Sequence, residues 1–139
     1  MRNASIWAVS LGLSLFLASC SSMKLASSQG EVKTPKGSSK AIEVYTFTVE
    51  KSADKVIEID EVKLVNTETQ WSQQVGYTLK NEGGKESILS TKGYSTFTIV
   101  CKNPNSTGSE VQANKAIVTY HHPEKGKKNM EFEIGKSSK

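Results

Sequence analysis

Residues 42–49 read IEVYTFTV, and this stretch decides the fold class that the sequence predicts. Tyr45, Phe47 and Val49 fall on one side of an extended chain, because successive side chains of a strand point to opposite faces. Aromatic and β-branched residues at alternating positions are typical of a β-strand. Residues 42–49 therefore predict a strand with Tyr45, Phe47 and Val49 on a shared face.

Further short stretches of the same kind follow along the chain. The predicted strands are residues 55–65, 71–79, 87–90, 96–102, 116–121 and 129–134. Within residues 55–65, Ile57 and Ile59 occupy one phase, whereas Val62 and Leu64 occupy the other. A bulge at residues 60–61 would restore these side chains to one face.

About seven short strands and no convincing helix predict an all-β fold. Turn signals recur at intervals of roughly 8–15 residues, the pattern of an antiparallel sandwich or barrel. The length and strand number resemble those of an immunoglobulin-like β-sandwich, which is the expected architecture. Trp71 and Cys101 fall loosely where that fold places its core tryptophan and second cysteine, although the first cysteine is missing.

The first twenty residues divide like an export signal. Met1–Asn3 gives a short positive start, and residues 6–16 are apolar and uncharged. The apolar run through Ser19 is about fourteen residues long, too short for the roughly 20 that cross a bilayer as a helix. A targeting segment is therefore predicted instead of a membrane span.

The end of this segment, Leu17-Ala18-Ser19-Cys20, resembles the bacterial lipobox, in which a large aliphatic residue and two small residues precede a cysteine. The resemblance implies a type II signal peptide over residues 1–19, cleavage before Cys20, and attachment of a diacylglyceryl group to its sulfur. Acyl chains bury methylenes at about 0.8 kcal/mol each, so two or more chains give stable anchoring. Lipidation also removes Cys20 as a disulfide partner, which leaves Cys101 as a lone cysteine.

Residues 21–40 are rich in Ser, Lys and Gly, which is linker composition. The predicted organisation is a signal peptide over 1–19, a lipidated N-terminus and flexible linker over 20–40, and a β-sandwich domain over 41–139. A flexible linker of this length has a coil span of about 25 Å. The domain is thus expected to work at a distance from the lipid surface.

The residues after Cys20 bear on the destination of the protein. Residues 21–24 lack the aspartate that resembles an inner-membrane retention signal in enterobacterial lipoproteins, and they lack an acidic surface-export cluster. We expect anchoring in the inner leaflet of an outer membrane, facing the periplasm. A Gram-positive cell would place the same protein on its outer surface.

The charge of the chain is mildly basic. The formal net charge is +4, and loss of Arg2 with the signal peptide leaves 17 basic against 14 acidic side chains. A nucleic-acid binder usually concentrates Lys and Arg on one face. The basic side chains are scattered and Lys outnumbers Arg seventeen to one, so the sequence predicts no nucleic-acid partner.

The residue types that support catalysis or metal binding are few. Adjacent residues of a strand point to opposite faces, so His121 and His122 are expected to be solvated side chains at a strand end and not joint metal ligands. Cys101 shares a phase with Phe97 and Ile99, which predicts a buried, inert thiol. We therefore expect no enzyme activity, no cofactor and no metal site.

Lys125, Lys127 and Lys128 form a basic cluster between the last two predicted strands. The cluster is expected to be a solvated turn or, alternatively, a contact with an anionic partner such as lipid headgroups or cell-wall polymer.

Two functions are compatible with these observations. The first is a non-catalytic interaction or accessory module that presents a face or edge strand to another envelope protein. The alternative is a periplasmic ligand-binding or enzyme-inhibitor lipoprotein similar in size and export route to lysozyme inhibitors. Those families share paired cysteines and a loop motif that this sequence lacks.

Overall fold

A computed structural model of the chain describes residues 23–37, 39–106 and 110–136, which are almost entirely β-structure and tight connections. The strands are β1 (Met23–Lys33), β2 (Ile42–Lys51), β3 (Glu58–Asn66), β4 (Trp71–Val75), β5 (Tyr77–Lys80), β6 (Thr96–Asn103), β7 (Lys115–His122), β8 (Gly126–Glu133) and β9 (Gly135–Lys136). A 3-10 turn at Glu82–Gly84 follows β5. The prediction of an all-β fold is confirmed.

The strands form two sheets that share one core. One sheet has the order β5-β6-β2-β1-β9 and the other the order β4-β3-β7-β8. All neighbours within the sheets are antiparallel except β9, which pairs in parallel with β1 through two residue pairs. The described chain therefore has eight antiparallel strands and the short β9, and the prediction of about seven strands is wrong.

The face of β2 that the sequence singled out forms the centre of the core. Tyr45, Phe47 and Val49 are completely buried. Phe47 packs on Phe132 of β8 with ring centroids 5.5 Å apart, which joins the two sheets. Burying one such side chain contributes about 1.5–3 kcal/mol to the stability of the fold. The buried face of β2 therefore determines how the two sheets pack together.

The predicted bulge in the third strand is also present. The pairing of β3 with β7 shifts register between Ile59 and Glu61. Because of this shift Ile59, Val62 and Leu64 are all buried although their sequence phases differ. The predicted strand over 71–79 divides instead, since β4 pairs with β3 and β5 pairs with β6. The chain changes sheet at Gly76, which separates the two strands.

The prediction of a flexible linker over 20–40 is wrong for residues 23–33, which form β1. This strand pairs with the whole length of β2, from Met23 opposite Lys51 to Lys33 opposite Ile42. Its composition is polar because few of its side chains face the core, yet Met23 is only 1% exposed. The free edge of β2 supplies backbone partners that composition alone does not reveal. The domain therefore begins at or before Met23 and not at residue 41.

The expected correspondence of Trp71 and Cys101 with an immunoglobulin core is wrong as well. Trp71 begins the fourth strand and is half-buried, whereas that fold has its tryptophan on the third. Cys101 lies in β6 directly opposite Tyr45 of β2, in the same sheet. A cysteine there cannot occupy the inter-sheet position that the expectation required.

The placement of β1 leads to a test at Gly30. A Cβ atom on Gly30 would lie 2.9 Å from Cδ2 of Tyr45 and 3.3 Å from Cγ2 of Ile134. The Tyr45 ring has little room to move, because it is buried and its hydroxyl donates to Glu43 Oε1 and accepts from the amide of Ala113. We expect Gly30→Ala to lower the free energy of unfolding by about 1–3 kcal/mol in urea titrations.

Gly76→Ala is the matched control, because a Cβ atom there meets nothing within 4 Å. Its free energy of unfolding should stay within about 0.5 kcal/mol of the wild type. Equal stabilities for the two variants would show that residues 23–33 do not form this strand.

Candidate interaction surface

One end of the sandwich gathers loops from both sheets, and we call it the basic end. It comprises the start of β1 at residues 23–24, the loops over 52–57 and 90–95, and the β7–β8 hairpin around residues 122–126. Met23 lies opposite Lys51 at the end of β2, and Glu58 lies opposite His121 at the end of β7. The amide of Gly93 donates to the carbonyl of Ala53 at 3.0 Å, which joins the two loops.

The basic end carries an excess of positive charge. Its charged residues and those of the strand ends beside it are Lys24, Lys51, Lys55, Lys92, Lys125, Lys127 and Lys128 against Glu50, Asp54, Glu58, Glu61 and Glu124. These seven lysines and five acidic residues give an excess of two positive charges. The whole chain from Cys20 onward has 17 basic residues against 14 acidic ones. The remainder of that chain therefore carries an excess of one positive charge.

His122 fixes the hairpin of the basic end. It is only 3% exposed, so the expectation of a solvated side chain is wrong for His122, whereas His121 is exposed as expected. Its Nδ1 accepts hydrogen bonds from the amides of Glu124 at 3.1 Å and Lys125 at 3.2 Å. Burial lowers the pKa of His122, and the nearby charge of Lys125 lowers it further. The neutral ring thereby holds the backbone of the turn.

An ion pair connects the hairpin to the loop between the sheets. Lys55 Nζ lies 2.9 Å from Oε1 of Glu124, and this contact raises the pKa of Lys55 and lowers that of Glu124. Lys51 Nζ donates to the carbonyls of Ser52 and Lys55, the latter at 2.6 Å. The loop and the hairpin are thus held together, although an exposed ion pair contributes little stability by itself.

The three lysines singled out in the sequence occupy two different settings. Lys125 lies in the turn itself, whereas Lys127 and Lys128 are already in β8, opposite His121 and Tyr120. Successive residues of a strand point to opposite faces, so Lys127 and Lys128 flank the strand. All three are exposed. The predicted basic turn is therefore a rigid hairpin with lysines in its turn and on both faces of its outgoing strand.

A groove of about 540 Å³ lies between β3 and β5. Its lining includes Ile57, Glu58, Ile59, Tyr77, Ile88 and Leu89. In the described chain β4 pairs with β3 only from Val62 to Asn66, so the edge of β3 before Val62 faces the groove without a neighbouring strand. The hydroxyl of Tyr77 donates to the carbonyl of Ile59 there. Leu89 on the rim is fully exposed. None of these residues was predicted from the sequence to be functional.

A buried carboxylate lies at the opposite end of the sandwich from the hairpin. Glu43 is completely buried, and its Oε1 accepts from the Tyr45 hydroxyl and from Asn103 Nδ2 at 3.1 Å. Its Oε2 accepts from Gln112 Nε2 at 3.0 Å. Burial and the hydrogen bond to Glu43 raise the pKa of Tyr45. These bonds connect β2 to the segments on either side of residues 107–109, so Glu43 has a structural role.

Cys101 matches its prediction of a buried thiol. It is completely buried in β6, and burial raises its pKa to about 12. The thiolate is the reactive form, so Cys101 is inert near neutral pH. The predicted lipidation site, Cys20, lies outside the described residues.

No group of three or more metal-ligating side chains lies together in the part of the chain that the structure describes. The same residues include no helix with the length and apolarity needed to cross a bilayer.

The hydrogen bonds of His122 predict a dependence of stability on pH. A histidine whose pKa is lower in the folded state contributes stability that is present above its unfolded pKa of about 6.5 and is lost as the pH falls below it. Protonation would place a donor at Nδ1, where the ring now accepts hydrogen bonds from two backbone amides. The positive charge on the ring would be opposed by Lys125, Lys55 and Lys128 and favoured by Glu124. We expect the melting temperature to fall by about 5 °C between pH 7.5 and pH 5 through this group.

His122→Asn is the informative variant, because its amide oxygen accepts hydrogen bonds but does not titrate. Its melting temperature should change less over this pH range than that of the wild type. His121→Asn is the control and should retain the full dependence. If both variants behave like the wild type, His122 is not the group that titrates.

In the comparisons with known proteins, no family model, curated protein or solved structure matches this chain.

Proposed function

We propose that this protein is a lipid-anchored, non-catalytic interaction module of a bacterial cell envelope. The anchor part of the proposal depends on the resemblance of residues 17–20 to a lipobox at the end of an apolar segment. The preferred location is the inner leaflet of an outer membrane, facing the periplasm. Residues 21–24 support it, because they lack the acidic sorting signals of other destinations.

The finer fold that we propose is immunoglobulin-like. The sheet order β1-β2-β6-β5 corresponds to the A-B-E-D order of that fold, and β3-β7-β8 corresponds to C-F-G. In this correspondence β4 is an additional strand beside the third one. The fold hosts many unrelated functions, so it supports an interaction role without specifying a partner.

The single observation that carries the interaction role is the groove between β3 and β5. It combines a stretch of β3 edge from Glu58 to Glu61, which has no neighbouring strand on this side and whose Ile59 carbonyl accepts from the Tyr77 hydroxyl, with a fully exposed Leu89. Extended segments of partner proteins add to such edges through backbone hydrogen bonds, and side-chain pockets give specificity. We propose that an extended segment of another envelope protein binds in this groove.

The volume of the groove supports a second candidate, a ligand-binding or enzyme-inhibitor lipoprotein. About 540 Å³ lies within the range of 300–1,000 Å³ found for small-molecule pockets. A lysozyme-protection assay with the purified protein separates the two proposals. Protection at stoichiometric amounts would favour a lysozyme inhibitor, and none at excess protein would end the lysozyme-inhibitor form of this alternative.

The lipid anchor has a direct test at Cys20. Mass spectrometry of the mature protein should find an N-terminal peptide that begins at Cys20 and carries a diacylglyceryl group, and the protein should remain with membranes after a high-salt wash. Cys20→Ala should lose both the lipid and the membrane association. Cys101→Ala is the control and should keep both. An unmodified Cys20 in the mature wild type would contradict the anchor.

The groove is tested by a photo-crosslinking residue at position 89 in intact envelopes. We expect one recurrent protein adduct, because an extended partner segment would pass the exposed side chain of Leu89. The control position is Lys36, which is exposed and lies in the turn between β1 and β2. The same adducts at both positions, or none at position 89, would contradict docking in the groove.

A further inference from the structure

We propose that the basic end is a docking surface for anionic phospholipid headgroups, which holds this end of the domain against the membrane that carries its anchor. This inference rests on the proposed function, since it takes Cys20 to be the lipidated residue. It replaces the expectation that the domain works at a distance from the lipid surface.

The first argument is the position of the chain at the start of β1. Met23 is buried and paired with Lys51, so the chain enters the fold at the basic end. Cys20 and Met23 are three positions apart, and a fully extended chain spans at most about 10 Å over three residue steps. A lipid on Cys20 therefore keeps this end, and not the opposite one, within about 10 Å of the headgroups.

The second argument is charge. The seven lysines and five acidic residues of the basic end give two net positive charges, whereas the rest of the chain from Cys20 has an excess of one. Lysines near an anionic leaflet are attracted within about one Debye length, which is about 8 Å at physiological salt. The tether thus places this positive excess where it acts on lipids.

The third argument is rigidity. The amides of Glu124 and Lys125 are held by His122, and Glu124 is paired with Lys55, so the lysines of the hairpin project from a fixed backbone. Lys24 adds a further exposed charge two residues into the described chain. Lysine is a compact point charge on a flexible stem, which suits a diffuse anionic surface better than bidentate recognition of one phosphate. These features favour a lipid surface over a nucleic acid or a single anionic ligand.

The surface is tested without the anchor, so that the two proposals can fail separately. The chain from Cys20 to Lys139 with Cys20→Ser is mixed with vesicles of phosphatidylcholine, with and without phosphatidylglycerol, and binding is measured by co-sedimentation. We expect binding only to vesicles that contain phosphatidylglycerol, and we expect it to weaken as salt is raised, because screening shortens the reach of the charges.

The decisive variant carries Lys125→Gln, Lys127→Gln and Lys128→Gln. At about 1 kcal/mol for each lysine near the membrane, affinity for phosphatidylglycerol vesicles should fall about 100-fold. The matched control carries Lys33→Gln, Lys36→Gln and Lys40→Gln, which removes the same charge at the opposite end and should change affinity less than about threefold. All six side chains are exposed, and unchanged melting temperatures confirm that both variants fold.

Equal losses in the two triple variants would show that overall charge and not the basic end binds lipid, and this would overturn the proposal. Equal binding to both kinds of vesicle, or none to either, would also overturn it and leave the anchor untouched. An unmodified Cys20 would contradict the anchor alone, because vesicle binding of the Cys20→Ser chain does not depend on it.

Discussion

The contact of Phe47 with Phe132 is the interaction on which the rest of the structure depends. It joins the central strand of one sheet to the edge strand of the other, and Tyr45 and Val49 continue the same buried face. With β2 fixed in this way, its two edges pair with β6 and β1. The loops at both ends of the sandwich then have defined places, including those that form the basic end. The candidate surfaces are consequences of this core.

Features that depend on alternation along one strand were predictable. The buried face of β2 and the bulge at residues 60–61 followed from the phase of apolar side chains, which is a local property. That residues 23–33 form the strand β1 was not predictable, because a polar segment becomes a strand when a neighbouring strand edge supplies its backbone hydrogen bonds. The division of residues 71–79 at Gly76 was not predictable either. The apolar residues on both sides of Gly76 keep one phase, and only their different partner strands separate β4 from β5.

The sites show a similar division. The burial of Cys101 was predictable from its neighbours in phase, and the basic cluster at residues 125–128 was visible as composition. The burial of His122 was not, because it depends on amides of the turn that fold back on its ring. The groove beside Leu89 forms between β3 and β5, which are separated in the sequence, and no pattern within either strand predicts it.

The pairing of β1 with β2 has a mechanical consequence. A tether at the N-terminus and a partner held in the groove would pull β1 along its own axis, parallel to β2. In that direction the ten residue pairs between the two strands are loaded together in shear and not opened one after another. In the proposed anchored arrangement, β1 is therefore attached in a geometry that resists a sustained pull along the strand.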